Sequence, residues 1–153
     1  MIRIHVSCLL GGLFISVTHS LCAQPTPLPT ELNLSADPDA LSRHITYLSS
    51  LSRHHENPAG LDTAAAYIKA QIEQFGLSCA YQNYSVNAQT YRNVVCTLNP
   101  DQSDTVIVSA HYDSYRDLPG ADDNASGTAG VIELARLLKA QEASLPQQVE
   151  LVA

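Results

Sequence analysis

His111 and Asp113 stand two residues apart at the end of an apolar run, VIVSAHYDS (106–114), and an acidic turn, PGADDNASG (119–127), follows it. Residues i and i+2 of an extended strand project to one face, so the imidazole and the carboxylate point the same way. Asp122 and Asp123 then sit in a Gly-containing turn that opens into a helix. Nitrogen and carboxylate donors converging from two loops at one edge of a sheet are what zinc or a similar divalent ion requires. One of the paired acids could bridge two ions about 3.5 Å apart. Asp113, if not itself a ligand, can accept the distal N–H of His111, fixing its tautomer and raising its basicity. A lone H-x-D is most often a polar strand end. The GADDNASG turn at this distance, between a buried strand and an amphipathic helix, is what favours the metal.

Two elements must position these groups. One is a strand over 105–110; the other is a helix with the inward stripe Val131, Leu134, Ala135 and Leu138, ending near Gln141. Residues 149–152 begin another strand, and strand, helix, strand with a crossover of this length is a βαβ unit with a parallel pair. In open α/β sheets, sites form beyond the carboxyl ends of the strands, where His111, Asp113 and the acidic turn fall. Gly120 and Gly127 permit close backbone approach, and Asn124 or Ser126 can cap the helix. The helix N-terminus also favours a nearby carboxylate, offsetting part of the repulsion between adjacent acids.

Upstream, Asp37-Pro38 starts a helix of about fourteen residues with Leu41, Ile45, Leu48 and Leu51 on one face. Leu61, Ala65, Ile68, Ile72 and Phe75 mark a second helix, closed by Gly76. Strand-like runs at 78–86 and 91–98 follow, joined by NAQT. In that hairpin Cys96 pairs nearer Tyr81 than Cys79, so a Cys79–Cys96 bridge needs a bulge or a register shift. A disulfide and two packed thiols both remain open.

HYDS, then PGADDNASG, then a helix of the type VIELARLL are similar to the co-catalytic di-zinc exopeptidases that include secreted bacterial leucine aminopeptidases. The resemblance runs from about Leu41 to Ala153, with RHHENPAGLDTAAAYI and YRNVV also resembling the family's amino-terminal portion. It implies an α/β fold: a three-layer α/β/α sandwich with a mixed, largely parallel sheet, truncated after the first βαβ unit of the metal site. It also implies that His111 is a terminal zinc ligand, Asp113 its orienting partner and Asp123 the carboxylate bridging two zincs. The Asp123–Asn124 peptide would be cis.

The implied activity is release of N-terminal residues from peptides by zinc-activated water, with a glutamate taking the proton. In that family the general-base glutamate and the remaining ligands follow the segment VELVA and are absent here. Glu133, Glu142 and Glu150 cannot stand in for them. The chain by itself is therefore expected to have little or no peptidase activity, and residues 149–152 are expected to leave an exposed apolar edge. Two other readings use the same scaffold: a non-catalytic exported interaction module and a glutaminyl cyclase-like acyltransferase. The doubled acid and the NASG turn fit a two-zinc peptidase better than a single-zinc cyclase.

A formal net charge of −7 with no basic run argues against nucleic acid and against an anionic membrane surface. Residues 1–23, with Arg3 ahead of an apolar run at 6–17, read as a secretory signal cleaved after Ser20 or Ala23. Residues 24–36 are a Pro-rich linker, and 37–153 the incomplete catalytic domain. No other stretch is long enough to span a bilayer. The chain is thus expected to be periplasmic or extracellular, and Leu21 disfavours lipid anchoring through Cys22. His54 and His55 are expected at the surface near a helix end and His44 at a polar position of the first helix. Tyr112 and Tyr115 are expected mainly to pack.

Overall fold

The computed structural model describes residues 34–153; the expected signal and the linker up to residue 33 lie outside the described residues. Helix α1 (Pro38–Ser49) begins where Asp37 accepts hydrogen bonds from the backbone N–H of Asp39 at 2.9 Å and Ala40 at 3.2 Å, with Pro38 in the first turn. It buries Ala40, His44 and Leu48 rather than the stripe through Leu41 and Ile45, which are only half-buried. The buried His44 corrects the expectation of a polar surface position. Its Nδ1 lies 2.7 Å from Tyr67 Oη, a partner on the next helix that makes burial tolerable.

Helix α2 (Pro58–Glu73) is capped by Asn57, whose side-chain oxygen accepts from Gly60 N–H at 3.2 Å. Leu61, Ala64, Ala65, Ile68 and Ile72 are buried, and the chain leaves through Gly76 at φ 85°. Strands β1 (Ser78–Val86) and β2 (Gln89–Leu98) then form an antiparallel hairpin. Its turn is two residues, Asn87 and Ala88, both at positive φ, 50° and 63°. That pair matches the twist of a hairpin and pulls the strands closer together than a four-residue NAQT loop would. Val86 pairs with Gln89, so Cys79 lies directly opposite Cys96 and the two form a disulfide with no bulge.

Strand β3 (Thr105–Ser109), helix α3 (Ser126–Lys139) and strand β4 (Gln148–Val152) complete the described chain. The strand order is β1-β2-β4-β3, with β3 parallel to β4 and the other pairings antiparallel. The α/β class, the mixed sheet and the βαβ unit are those the sequence implies. "Largely parallel" does not describe these four strands, because the hairpin and its pairing with β4 outnumber the single crossover. The exposed edge is also elsewhere than expected. β4 inserts between β2 and β3, with Val149 and Leu151 buried, and β3 is the outer strand with Val106 and Ile107 exposed.

All three helices share one core with a single face of the sheet. Ile68, Val94, Cys96, Leu98, Ile132 and Leu151 lie at its centre. Each fully buried Ile, Val or Leu among them contributes about 1.5–3 kcal/mol. On the other face Val95 and Val152 are half-buried and Ile107 is exposed. Among the described residues the architecture is therefore two layers, without the second helical layer of the implied sandwich.

Candidate metal centre

The ladder between β3 and β4 ends when Ala110 N–H donates to Val152 O at 3.1 Å, and the chain leaves the sheet at its carboxyl end. His111 and Asp113 thus lie just past the strand, not on it, and they are held by contacts of their own. His111 Nδ1 is 3.0 Å from Asp113 Oδ1. An ionised aspartate only accepts hydrogen bonds, so Nδ1 carries the proton and donates. The other ring nitrogen, Nε2, faces Asp123 Oδ1 at 3.2 Å.

With Nε2 unprotonated, its lone pair faces a carboxylate oxygen, a repulsive pairing that either a proton or a cation between them relieves. Donor arms of about 2.1 Å at a tetrahedral angle span about 3.4 Å, close to the separation here. The donor chemistry and spacing therefore fit zinc. The side chains of His111, Asp113 and Asp123 are 54%, 56% and 80% exposed, so an ion in solution can reach them.

The turn Ala121–Ala125 leaves helical geometry at Asp123 and Asn124, and the peptide between those two residues is cis. The Asn124 side chain accepts from Gly127 N–H at 3.0 Å, while Ser126 Oγ donates to Asp122 O at 3.0 Å, so both capping candidates have partners. Thr128, fully buried on α3, places its hydroxyl 3.1 Å from the carbonyls of both His111 and Asn124. One side chain thus ties the histidine segment to the acidic turn. Gly120 is sterically required: a Cβ there, at φ 54°, would come within 2.5 Å of Asp123 O, whereas one on Gly127 would meet the Asn124 side-chain Oδ1 at 2.3 Å and displace it.

His111 and Asp113 border a cleft of about 400 Å³ walled by His55, Leu61, Tyr84, Val86, Tyr91 and Tyr112. Tyr112 is buried and its hydroxyl donates to Arg92 O at 2.7 Å. Burial above all, with Tyr84 nearby, pushes its phenol up to about 12, so at neutral pH it is a fixed donor and not a base. Tyr115 is exposed and carries the Arg116 guanidinium over its ring. The three glutamates considered above have partners elsewhere. Glu133 is buried and binds Arg136 and Asp37 N–H, Glu142 pairs with Lys139, and Glu150 accepts from Gln148. No group of three or more His, Cys, Asp or Glu side chains suited to an ion occurs among the described residues.

Sequence reasoning missed residues 52–54. Arg53 is fully buried, and its Nη2 donates to Pro119 O at 2.9 Å and Gly120 O at 2.6 Å. Its own carbonyl accepts from Ser114 N–H at 2.8 Å. His54 is buried too, with Nε2 3.1 Å from Asp117 Oδ1, which corrects its surface placement; His55 remains exposed. Ser52 Oγ donates to the same Asp117 oxygen at 3.3 Å. No local signal marks these residues, because their partners lie more than sixty positions away.

Residues 93–153 match the family model described as Peptidase family M28. The Escherichia coli (strain K12) protein YfbL is 36% identical over 116 residues, covering 69% of this chain and 36% of its own length. Leucine aminopeptidase 1 of Paracoccidioides brasiliensis (strain Pb03) is 27% identical over 145 residues, covering 78% of this chain and 37% of its own. Among solved structures, a Zn-dependent exopeptidase from Parabacteroides distasonis shares the fold with TM-score 0.66 at 19% identity, over 77% of this chain and 46% of that one. Tannerella forsythia glutaminyl cyclase does so with TM-score 0.66 at 21% identity, over 77% and 46%. The chain therefore spans little more than a third of these curated relatives.

Proposed function

From the premise that residues 93–153 are a segment of peptidase family M28, we propose that this chain carries the front part of a zinc-dependent exopeptidase domain that removes N-terminal residues from peptides. One observation carries the reading: His111 is fixed by Asp113 through Nδ1, so that Nε2 meets the Asp123 carboxylate across a gap of ion-bridging width. His111 and Asp123 would hold the metal, with Asp123 free to share its second oxygen with another ion. Zinc, when bound, supplies Lewis acidity and a bound water whose pKa falls to about 7. Asp113 keeps the proton on Nδ1 and the lone pair on Nε2. Tyr84, Val86 and Tyr91 offer an apolar wall beside that pair, suited to an uncharged peptide side chain. With two donors among the described residues, a closed zinc site needs further ligands, so these residues alone bind zinc weakly and hydrolyse little. Export belongs to the same reading, supported by the apolar leader-like run and by the Cys79–Cys96 disulfide, a bond that persists in oxidising compartments.

Zinc titration followed by NMR of the imidazole nitrogens tests this, because it registers even millimolar binding. His111 should respond before His44, His54 or His55, and Asp123→Ala should abolish the response. A His111 signal indifferent to zinc would sink the proposal. The likeness to a glutaminyl cyclase fold keeps a second reading, acyl transfer on N-terminal glutamine. Mass spectrometry of Gln-initiated peptides separates the two: cyclisation leaves pyroglutamyl peptide, whereas the peptidase releases free glutamine.

A further inference from the structure

We propose that residues 52–54, Arg53 above all, form a clamp that shapes the ligand loop 113–123 before any metal arrives. Burying a guanidinium costs several kcal/mol unless it is paired and hydrogen-bonded. Arg53 is fully buried, yet among the described residues it bonds no carboxylate, and its Nε and Nη1 have no protein partner. The fold keeps it nonetheless. Its one bonded nitrogen, Nη2, reaches the carbonyls of Pro119 and Gly120, immediately ahead of the acidic turn. Its backbone carbonyl takes Ser114 N–H, immediately after Asp113. Arg53 therefore grips the loop at both ends of the span joining Asp113 to Asp122 and Asp123. Ser52 and His54 converge on Asp117 in the middle of that span.

The geometry has an electrostatic counterpart. Burial pushes the Arg53 pKa down, and Asp113 and Asp123 push it back up. The buried positive charge in turn eases the repulsion among acids that must lie close together while no cation is present. Arg53 is a positioning residue: it touches neither metal nor substrate and acts through the backbone that carries the ligands.

The test is hydrogen exchange on the zinc-free 153-residue chain, read at the Ser114, Leu118 and Ala125 amides, all of which donate to backbone carbonyls. Arg53→Lys keeps the charge and loses the planar fork that reaches two carbonyls; Ser52→Ala/His54→Leu removes both donors to Asp117 and releases it. Each should speed loop exchange about tenfold or more, with the amides of the hairpin from Cys79 to Cys96 unchanged. Zinc binding should weaken by about ten- to a hundredfold, the usual effect of losing an outer partner of a metal ligand. Loop exchange that stays unchanged, or that rises only in step with the hairpin, would overturn the clamp. Only the zinc measurement rests on the metal reading; if the wild-type chain binds none, the exchange measurement still decides.

Discussion

The β1–β2 hairpin and the loop 110–125, which carries His111, Asp113 and Asp123, are held in opposite ways. Nine consecutive residue pairs from Ser78↔Thr97 to Val86↔Gln89 position the hairpin through a repeating ladder, and a disulfide locks one of them, Cys79↔Cys96. Among the described residues this loop has no strand partner after Ala110. Thr128, Asn124, Arg53, Ser52 and His54 pin it at separate points, Thr128 and Arg53 at more than one. A ladder tolerates the loss of any one side chain, because its hydrogen bonds belong to the backbone. A loop pinned by individual side chains does not, but it can present carboxylates and an imidazole in directions no regular element offers.

Removing either side chain proposed to hold the metal should break this comparison most completely. His111→Ala or Asp123→Ala should eliminate zinc binding while shifting the melting temperature little, since both side chains are more than half exposed. The zinc titration followed at the remaining imidazole and carboxylate signals checks the first half and thermal denaturation the second; a large loss of stability would mean that these residues are structural. Cys96→Ser should do the reverse. Opening a link of sequence separation 17 should cost about 2–4 kcal/mol, seen as a lower denaturant midpoint, with the zinc response of His111 retained. Thr128→Val comes third. It removes the hydroxyl shared by the His111 and Asn124 carbonyls and should cost about 1–2 kcal/mol. Its particular signature is a change in His111 ring shifts, which Cys96→Ser should leave alone.

The same contrast explains what the sequence revealed. That His111 meets Asp113 and Asp123 was legible because these residue types stand at short spacing around one turn. α2 and the βαβ unit were legible because periodicity marks buried faces. The disulfide register was missed because it depends on which two of NAQT make the turn, and Asn87 and Ala88 take positive φ when either flank could have been lengthened instead. The place of β4 between β2 and β3 was missed because periodicity reports a strand's faces and not its neighbours. The clamp was invisible for a related reason. Arg53 looks like any charged residue between helices, and only the folded chain brings Pro119 and Gly120 over it. His44 and Glu133 look like polar positions on helix faces until α1 and α3 pack together.

That last pair supplies the smallest and sharpest test, because it loads the loop's support and not the hairpin. Glu133 is held below the usual glutamate range, first by its hydrogen bond from Arg136 and then by Asp37 N–H, against the opposing effect of burial. His44 is held below the usual histidine value, first by burial and then by Arg43, with Glu133 pulling the other way. Both folded-state values are depressed, so both groups stabilise the fold above their ordinary pKa values and lose that contribution as pH falls through the folded ones. Two steps are expected in melting temperature: one beginning below about pH 6.5 from His44 and one below about pH 4.3 from Glu133. His44→Gln can still bond to Tyr67 and does not titrate, so it should flatten the upper step and spare the lower. Because α1 and α3 carry the load, exchange at Ser114 and Ala125 should rise in the upper step while the cystine-locked hairpin stays protected. Equal loosening of both regions would show that acid acts on the common core and that the loop has no separate support.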